Sequence, residues 1–156
     1  QIYEAVPKLQ RRGVSVALFL QFGYLGETLE DIYRTIDMVQ EIMPEEIGIS
    51  VSYPLPGTKF YEKVKDDLQV KANWVDSDDL DLMFTNKYSP SFYKKLHRYV
   101  HNRHKLKRGL LALKQGVKSP SSINNKKLRQ ILTIGYHLPM ALVNGAHLKT
   151  QAKKTV

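Results

Sequence analysis

The stretch VSVALFLQFGYLGETLEDI, Val14–Ile32, decides the fold. It opens as an apolar run, breaks at Gly23-Tyr-Leu-Gly26, and resumes with apolar residues at helical spacing. A second stretch, IGISVSYPLPGTKFYE, Ile47–Glu62, repeats the grammar, with Pro54-Leu-Pro-Gly57 as its break. The near-continuous apolar runs Val14–Phe22 and Ile47–Tyr53 predict strands buried on both faces. Thr28 and Asp31 predict a capping box. Leu29, Ile32, Ile36, Val39 and Ile42 then form the stripe of a helix that ends before Pro44. A strand that turns through a glycine corner into a helix is one β/α unit. In such folds the corners at the carboxyl ends of parallel strands are where ligands bind.

Outward from these units, Ile2, Ala5, Val6 and Leu9 keep helical spacing, and Arg11-Arg12-Gly13 closes that helix. Thr58–Leu68 predicts a short helix. The order helix–β–α–β–α is a consecutive pair of parallel units. Two strands cannot form a stable sheet covered on both faces, so further strands are expected from outside these residues. Asn73–Asp81, with the lone Trp74, reads as an acidic loop. Ser89-Pro90 opens a helix to about Arg108, with Phe92, Leu96, Tyr99, Val100 and Leu106 inward. Lys118–Asn125 (KSPSSINN) reads as a flexible linker. The expected division is 1–70 for the α/β part, 71–117 for a helical extension, and 118–156 for linker and tail.

Charge supports that division. The chain has 156 residues and a net charge of +9. All 15 acidic residues lie in residues 1–84, whereas residues 85–156 carry 16 Lys/Arg and no acid. Such a field favours an anionic partner: a phosphate-rich lipid surface, nucleic acid, or the acidic half of the same molecule. The absence of cysteine excludes disulfides and thiolate-held zinc or iron–sulfur clusters within these residues. It fits a cytoplasmic protein. The start at Gln1, inside a helix, leads us to expect a piece of a longer polypeptide.

The pair of corners carries a family resemblance. Gly13 before the strand, LFLQFGYLGETLEDI, and YPLPGTKFY after the next strand resemble the last two β/α units of the radical S-adenosylmethionine core. They are most similar to the subgroup with an N-terminal cobalamin-binding domain, such as the anaerobic magnesium-protoporphyrin monomethyl ester cyclases. The resemblance covers residues 1 to about 105. It implies an α/β fold: the end of a partial (β/α)6 TIM-like barrel with an α-helical C-terminal extension. It also implies S-adenosylmethionine as cofactor, cleaved reductively by a 4Fe-4S cluster, and a cobalamin. The ligands of both metal groups would lie outside this chain, in the upstream half of the polypeptide. The chain alone would then be inactive. The substrate would be an unidentified small or lipid-like molecule. Carried over, the cofactor-binding positions are Leu20, Phe22, Gly23, Gly26, Glu27, Tyr53, Pro54 and Leu55. A flat adenine needs aliphatic walls and close backbone approach. Where the family has proline, this chain has Leu25.

Other constellations weigh less. His97, His101 and His104 share a helix face, but Lys94, Lys95, Arg98, Arg103 and Lys105 surround them. Positive neighbours oppose a cation, so a solvated basic face is expected. Asp76, Asp78, Asp79 and Asp81 lack the glycine and final glutamate of a calcium loop. Ile131–Ala146 is apolar but broken by Gly135 and Pro139, too short to span a membrane. Flanked by Lys126, Lys127, Arg129 and Lys149, it reads either as a helix packed on the protein or as a segment on an anionic inner-membrane face. The rival to the enzymatic reading is thus a catalytically inert basic module that binds such a surface or an acidic partner. Nucleic acid is disfavoured, because aromatics are not interleaved with the bases.

Overall fold

The computed structural model describes residues 1–68, 80 and 82–153. The acidic residues Asp76, Asp78, Asp79 and Asp81, and Trp74, lie outside the described residues. The elements are α1 (Ile2–Arg11), β1 (Ala17–Phe22), α2 (Leu29–Ile42), β2 (Glu46–Val51), α3 (Lys59–Val64), α4 (Pro90–Lys118), α5 (Asn125–Leu132) and α6 (Ile134–Lys153). Short 3₁₀ turns follow α3 and α4. The fold is mixed α/β, predominantly helical, around one two-stranded parallel sheet.

Local chemistry sets the first elements as the sequence predicts. Thr28 and Asp31 form the capping box: Asp31 N donates to Thr28 Oγ1 at 3.2 Å and Thr28 N to Asp31 Oδ2 at 3.0 Å. Ile32, Ile36, Val39 and Ile42 are buried. β1 and β2 pair in parallel with Phe19 opposite Gly48, Leu20 opposite Ile49, Gln21 opposite Ser50 and Phe22 opposite Val51.

β1 is not buried on both faces, whereas β2 is at its C-terminal end, where Ile49, Ser50 and Val51 are all buried. Leu20, Phe22, Ile49 and Val51 point into one core with Ile32, Ile36 and Val39 of α2 and Phe92, Leu96 and Val100 of α4. On the opposite face Phe19 is 73 % exposed, and Gln21 is exposed too. The reason is pleat parity. Alternate residues face opposite sides, and both α2 and α4 cover the same side.

α4 passes Arg108 and runs on to Lys118. Its two interior glycines do not end it, because both are seats for the chain that follows. A Cβ at Gly109 would come within 2.6 Å of the Gln130 carbonyl oxygen, and one at Gly116 within 2.7 Å of Ile123 Cδ1. The segment expected as a flexible linker is therefore a tight connection. Ile123 sits on Gly116, and Asn124 caps α5 by accepting from Lys127 N at 2.9 Å. α6 folds back along α4: the Tyr99 ring lies on Gly145, and His137 Nδ1 is 2.8 Å from Asn102 Oδ1.

Among the described residues the cationic side chains of the basic half grip the acidic half at the end of α2. There the last carbonyls are unsatisfied and the helix dipole is negative. Lys107 Nζ donates to the Gln40 carbonyl at 2.5 Å, His104 Nε2 lies 2.9 Å from that of Pro44, and Arg108 donates to that of Glu45. The Glu45 carboxylate pairs with Arg108 at 3.0 Å and with Lys126. These bonds hold its carboxyl down at about 2, Lys126 contributing most and Arg108 next. The expected solvated histidine face is therefore corrected. His104 is 4 % exposed and serves the backbone, and burial lowers the pKa of His101 to about 4, helped by His97 and Lys105. Among the described residues no group of three His, Asp or Glu side chains could hold a metal ion.

Candidate functional site

The two corners lie side by side at the carboxyl ends of the strands. Ser52 N donates to the Phe22 carbonyl at 2.6 Å, which carries the pairing one residue past β2. Gly23, the first residue beyond β1, has φ of +79°. Only glycine reaches that region without strain.

Gly23 is clamped from several sides. Its N–H donates to Glu27 Oε2 at 2.8 Å, and its carbonyl accepts from Asn86 Nδ2 at 2.6 Å. A Cβ there would stand 3.3 Å from both Leu82 Cδ2 and Tyr93 Cζ. The corner thus depends on the chain that follows the second unit. Burial pushes the Glu27 carboxyl above its ordinary value; the Gly23 N–H opposes this, and Asp31 adds to it. The Tyr93 hydroxyl is buried with no hydrogen-bond partner in the structure, and burial together with the Glu27 charge pushes its ionisation far up. A half-buried carboxyl beside a neutral buried phenol is a site under electrostatic load, a pattern frequent where ligands bind.

Around this clamp lies an apolar rim. Tyr24, Leu25, Tyr53 and Leu55 are all exposed. The Tyr24 ring stacks on Phe60 at 4.6 Å, which ties the first corner to α3, and Phe60 meets Phe84 edge-on at 5.4 Å. Thr58 shapes the second corner: its hydroxyl donates to the Leu55 carbonyl at 2.7 Å and accepts from Tyr61 N at 3.1 Å. Below the rim, on the face of the sheet away from α2 and α4, the Phe19 ring lies on Gly48, where a Cβ would come within 2.7 Å of Phe19 Cδ2. Phe19 is otherwise largely exposed. Gln21 is beside it, across from Ser50, whose hydroxyl is buried with no partner in the structure.

Of the positions carried over from the resemblance, Tyr53 and Leu55 stand on the rim. Gly26, with φ of +85° and no neighbour within 4 Å of its would-be Cβ, forms an open turn. Glu27 reaches back to Gly23. Pro54 is buried. Leu20 and Phe22, 5 % and 1 % exposed, point to the helix side and line no part of the open face. Both polar groups of Gly23 already have partners within the protein, Glu27 and Asn86. The residues that face outward on β1 are Phe19 and Gln21, neither of which is among the carried-over positions. Strand parity could have found them: the polar Gln21 interrupts the apolar run and shares its face with Phe19. Asn86 and Tyr93 had no such signal.

No family model matches the chain, and neither a curated protein nor a solved structure does.

Proposed function

We propose that these residues are the last two β/α units of a partial (β/α)6 barrel in a radical S-adenosylmethionine enzyme, and that they supply part of its adenine-side wall. One observation supports this most: among the described residues the helices α2 and α4 cover one face of the sheet, while on the other Phe19 and Gln21 of β1 are exposed below two adjacent corners. A barrel stave has that arrangement, with helices outside and alternate strand residues inside. Phe19 offers a flat platform, Gln21 a polar edge, and Tyr53 and Leu55 an apolar rim. These fit a planar base held by stacking and a few polar contacts. A 4Fe-4S cluster, which this cysteine-free chain cannot hold by itself, would supply the electron for reductive cleavage of S-adenosylmethionine. The cobalamin expected of the subgroup belongs to an upstream domain.

The test uses the whole polypeptide read from the coding frame, reconstituted anaerobically and assayed for 5′-deoxyadenosine under dithionite. Phe19→Ala should raise the KM for S-adenosylmethionine about tenfold, the magnitude of one lost base-stacking contact. An unchanged KM, or a frame without a C-x3-C-x2-C sequence ahead of Gln1, refutes the proposal.

A further inference from the structure

Helix α6 has apolar residues all round, yet only one side of it is packed. His137, Ala141, Leu148 and Ala152 are buried on its inner side. On its outer side Tyr136 is 62 %, Leu138 47 %, Leu142 68 % and Val143 46 % exposed. From Ile134 to Leu148 there is no Lys, Arg, Asp or Glu. A surface helix ordinarily turns a charged face to water, and an apolar face this continuous marks an interaction site. Just before it, α5 exposes Leu128 and, at 72 %, Leu132.

Among the described residues, the charges on α5 and α6 have one sign. Arg129 follows Leu128 on exposed α5, and exposed Lys149 lies two turns beyond Leu142 on the same side of α6. No acidic residue occurs anywhere in residues 85–156. We propose that α5 and α6 dock flat on the surface of an anionic lipid bilayer, with the leucines of the outer face in the acyl boundary and Arg129 and Lys149 among the headgroups.

Charge complementarity selects that occupant. A second copy of the chain would bring two cationic rims together. Among the described residues, the acid of the first half that pairs with the basic half is Glu45, at the end of α2 on the inner side of α4. Among the described residues no helix is long and apolar enough to cross a membrane, so the fitting mode is interfacial. Tyr136 suits it too, since its amphipathic ring favours the headgroup level. The inference is independent of the barrel reading, which rests on the other end of the molecule.

The experiment is co-sedimentation of the full polypeptide with phosphatidylcholine vesicles and with vesicles of equal phosphatidylcholine and phosphatidylglycerol. Binding should favour the anionic vesicles at least about tenfold and fall steeply between about 0.05 M and 0.5 M salt. Arg129→Gln and Lys149→Gln should each weaken it about fivefold. Leu142→Gln combined with Val143→Gln should weaken it more than about tenfold while circular dichroism stays unchanged, because both positions are exposed. Equal binding to neutral vesicles, no binding at low salt, or insensitivity to the Leu142/Val143 pair each overturns the proposal. A dimer in light scattering that Leu142→Gln dissociates, with no vesicle binding, assigns the face to a second copy and likewise overturns it.

Discussion

Replacing Glu45 by glutamine removes the carboxylate that joins the two halves of the chain. The native carboxyl is held at about 2, against an ordinary 4.5. Taken whole, that depression is worth about 3–4 kcal/mol at about 1.4 kcal/mol per pH unit. It must be discounted, because the Glu45 side chain is 33 % exposed and the Lys126 side chain 67 %. Solvent screens such a pair, and only Arg108, 18 % exposed, offers a partly dry contact. The expected loss is about 1–2 kcal/mol at neutral pH, a shift of about 0.5–1 M in the urea midpoint. The sign follows from linkage. A depressed carboxyl contributes fully above its unfolded value of about 4.5, and that contribution is lost as pH falls toward 2. Pulse proteolysis in urea, at protein concentrations too low for association, measures the midpoint at pH 7 and at acid pH. Wild type and Glu45→Gln should differ at pH 7 and converge toward pH 2. Equal midpoints at pH 7, or a gap that persists unchanged in acid, would refute the reasoning.

Two further substitutions bear on the corner and on the helical packing. Glu27→Gln keeps an acceptor for the Gly23 N–H but removes a half-buried charge. Because burial raises the native carboxyl, wild-type stability should decline as pH rises from 4.5 toward the native value, whereas the variant's should not. At pH 7 Glu27→Gln is expected to be as stable as wild type or more so; a lower urea midpoint would show the carboxylate to be a net stabiliser. Gly109→Ala gains about 1 kcal/mol of helix propensity but drives a methyl to 2.6 Å from the Gln130 carbonyl oxygen. Separating α5 from α4 should cost about 1–3 kcal/mol. Hydrogen exchange should then quicken in α5 while α2 is unaffected, and a stabilised variant would contradict the close approach.

Much of the fold was legible because its signals are local. The capping pair Thr28–Asp31, the stripe Ile32–Ile36–Val39 and the glycine corners act over a few residues, so the βαβ order follows from the chain itself. The charge division was equally plain. What the sequence left open depends on segments far apart in the chain. Which face of β1 is open follows from where α4 lies, and an apolar run that looks alike from either side does not tell that Leu20 and Phe22 turn to the helices while Phe19 and Gln21 turn away from them. Asn86 binds Gly23 from 63 residues away, and neither residue announces the other. His104 looks basic and solvated in sequence, yet it is buried because the end of α2 offers it a carbonyl. Local sequence thus determined the elements and their order. Tertiary packing decided which of their faces meet water, since burial is a property of neighbours that only the folded chain supplies.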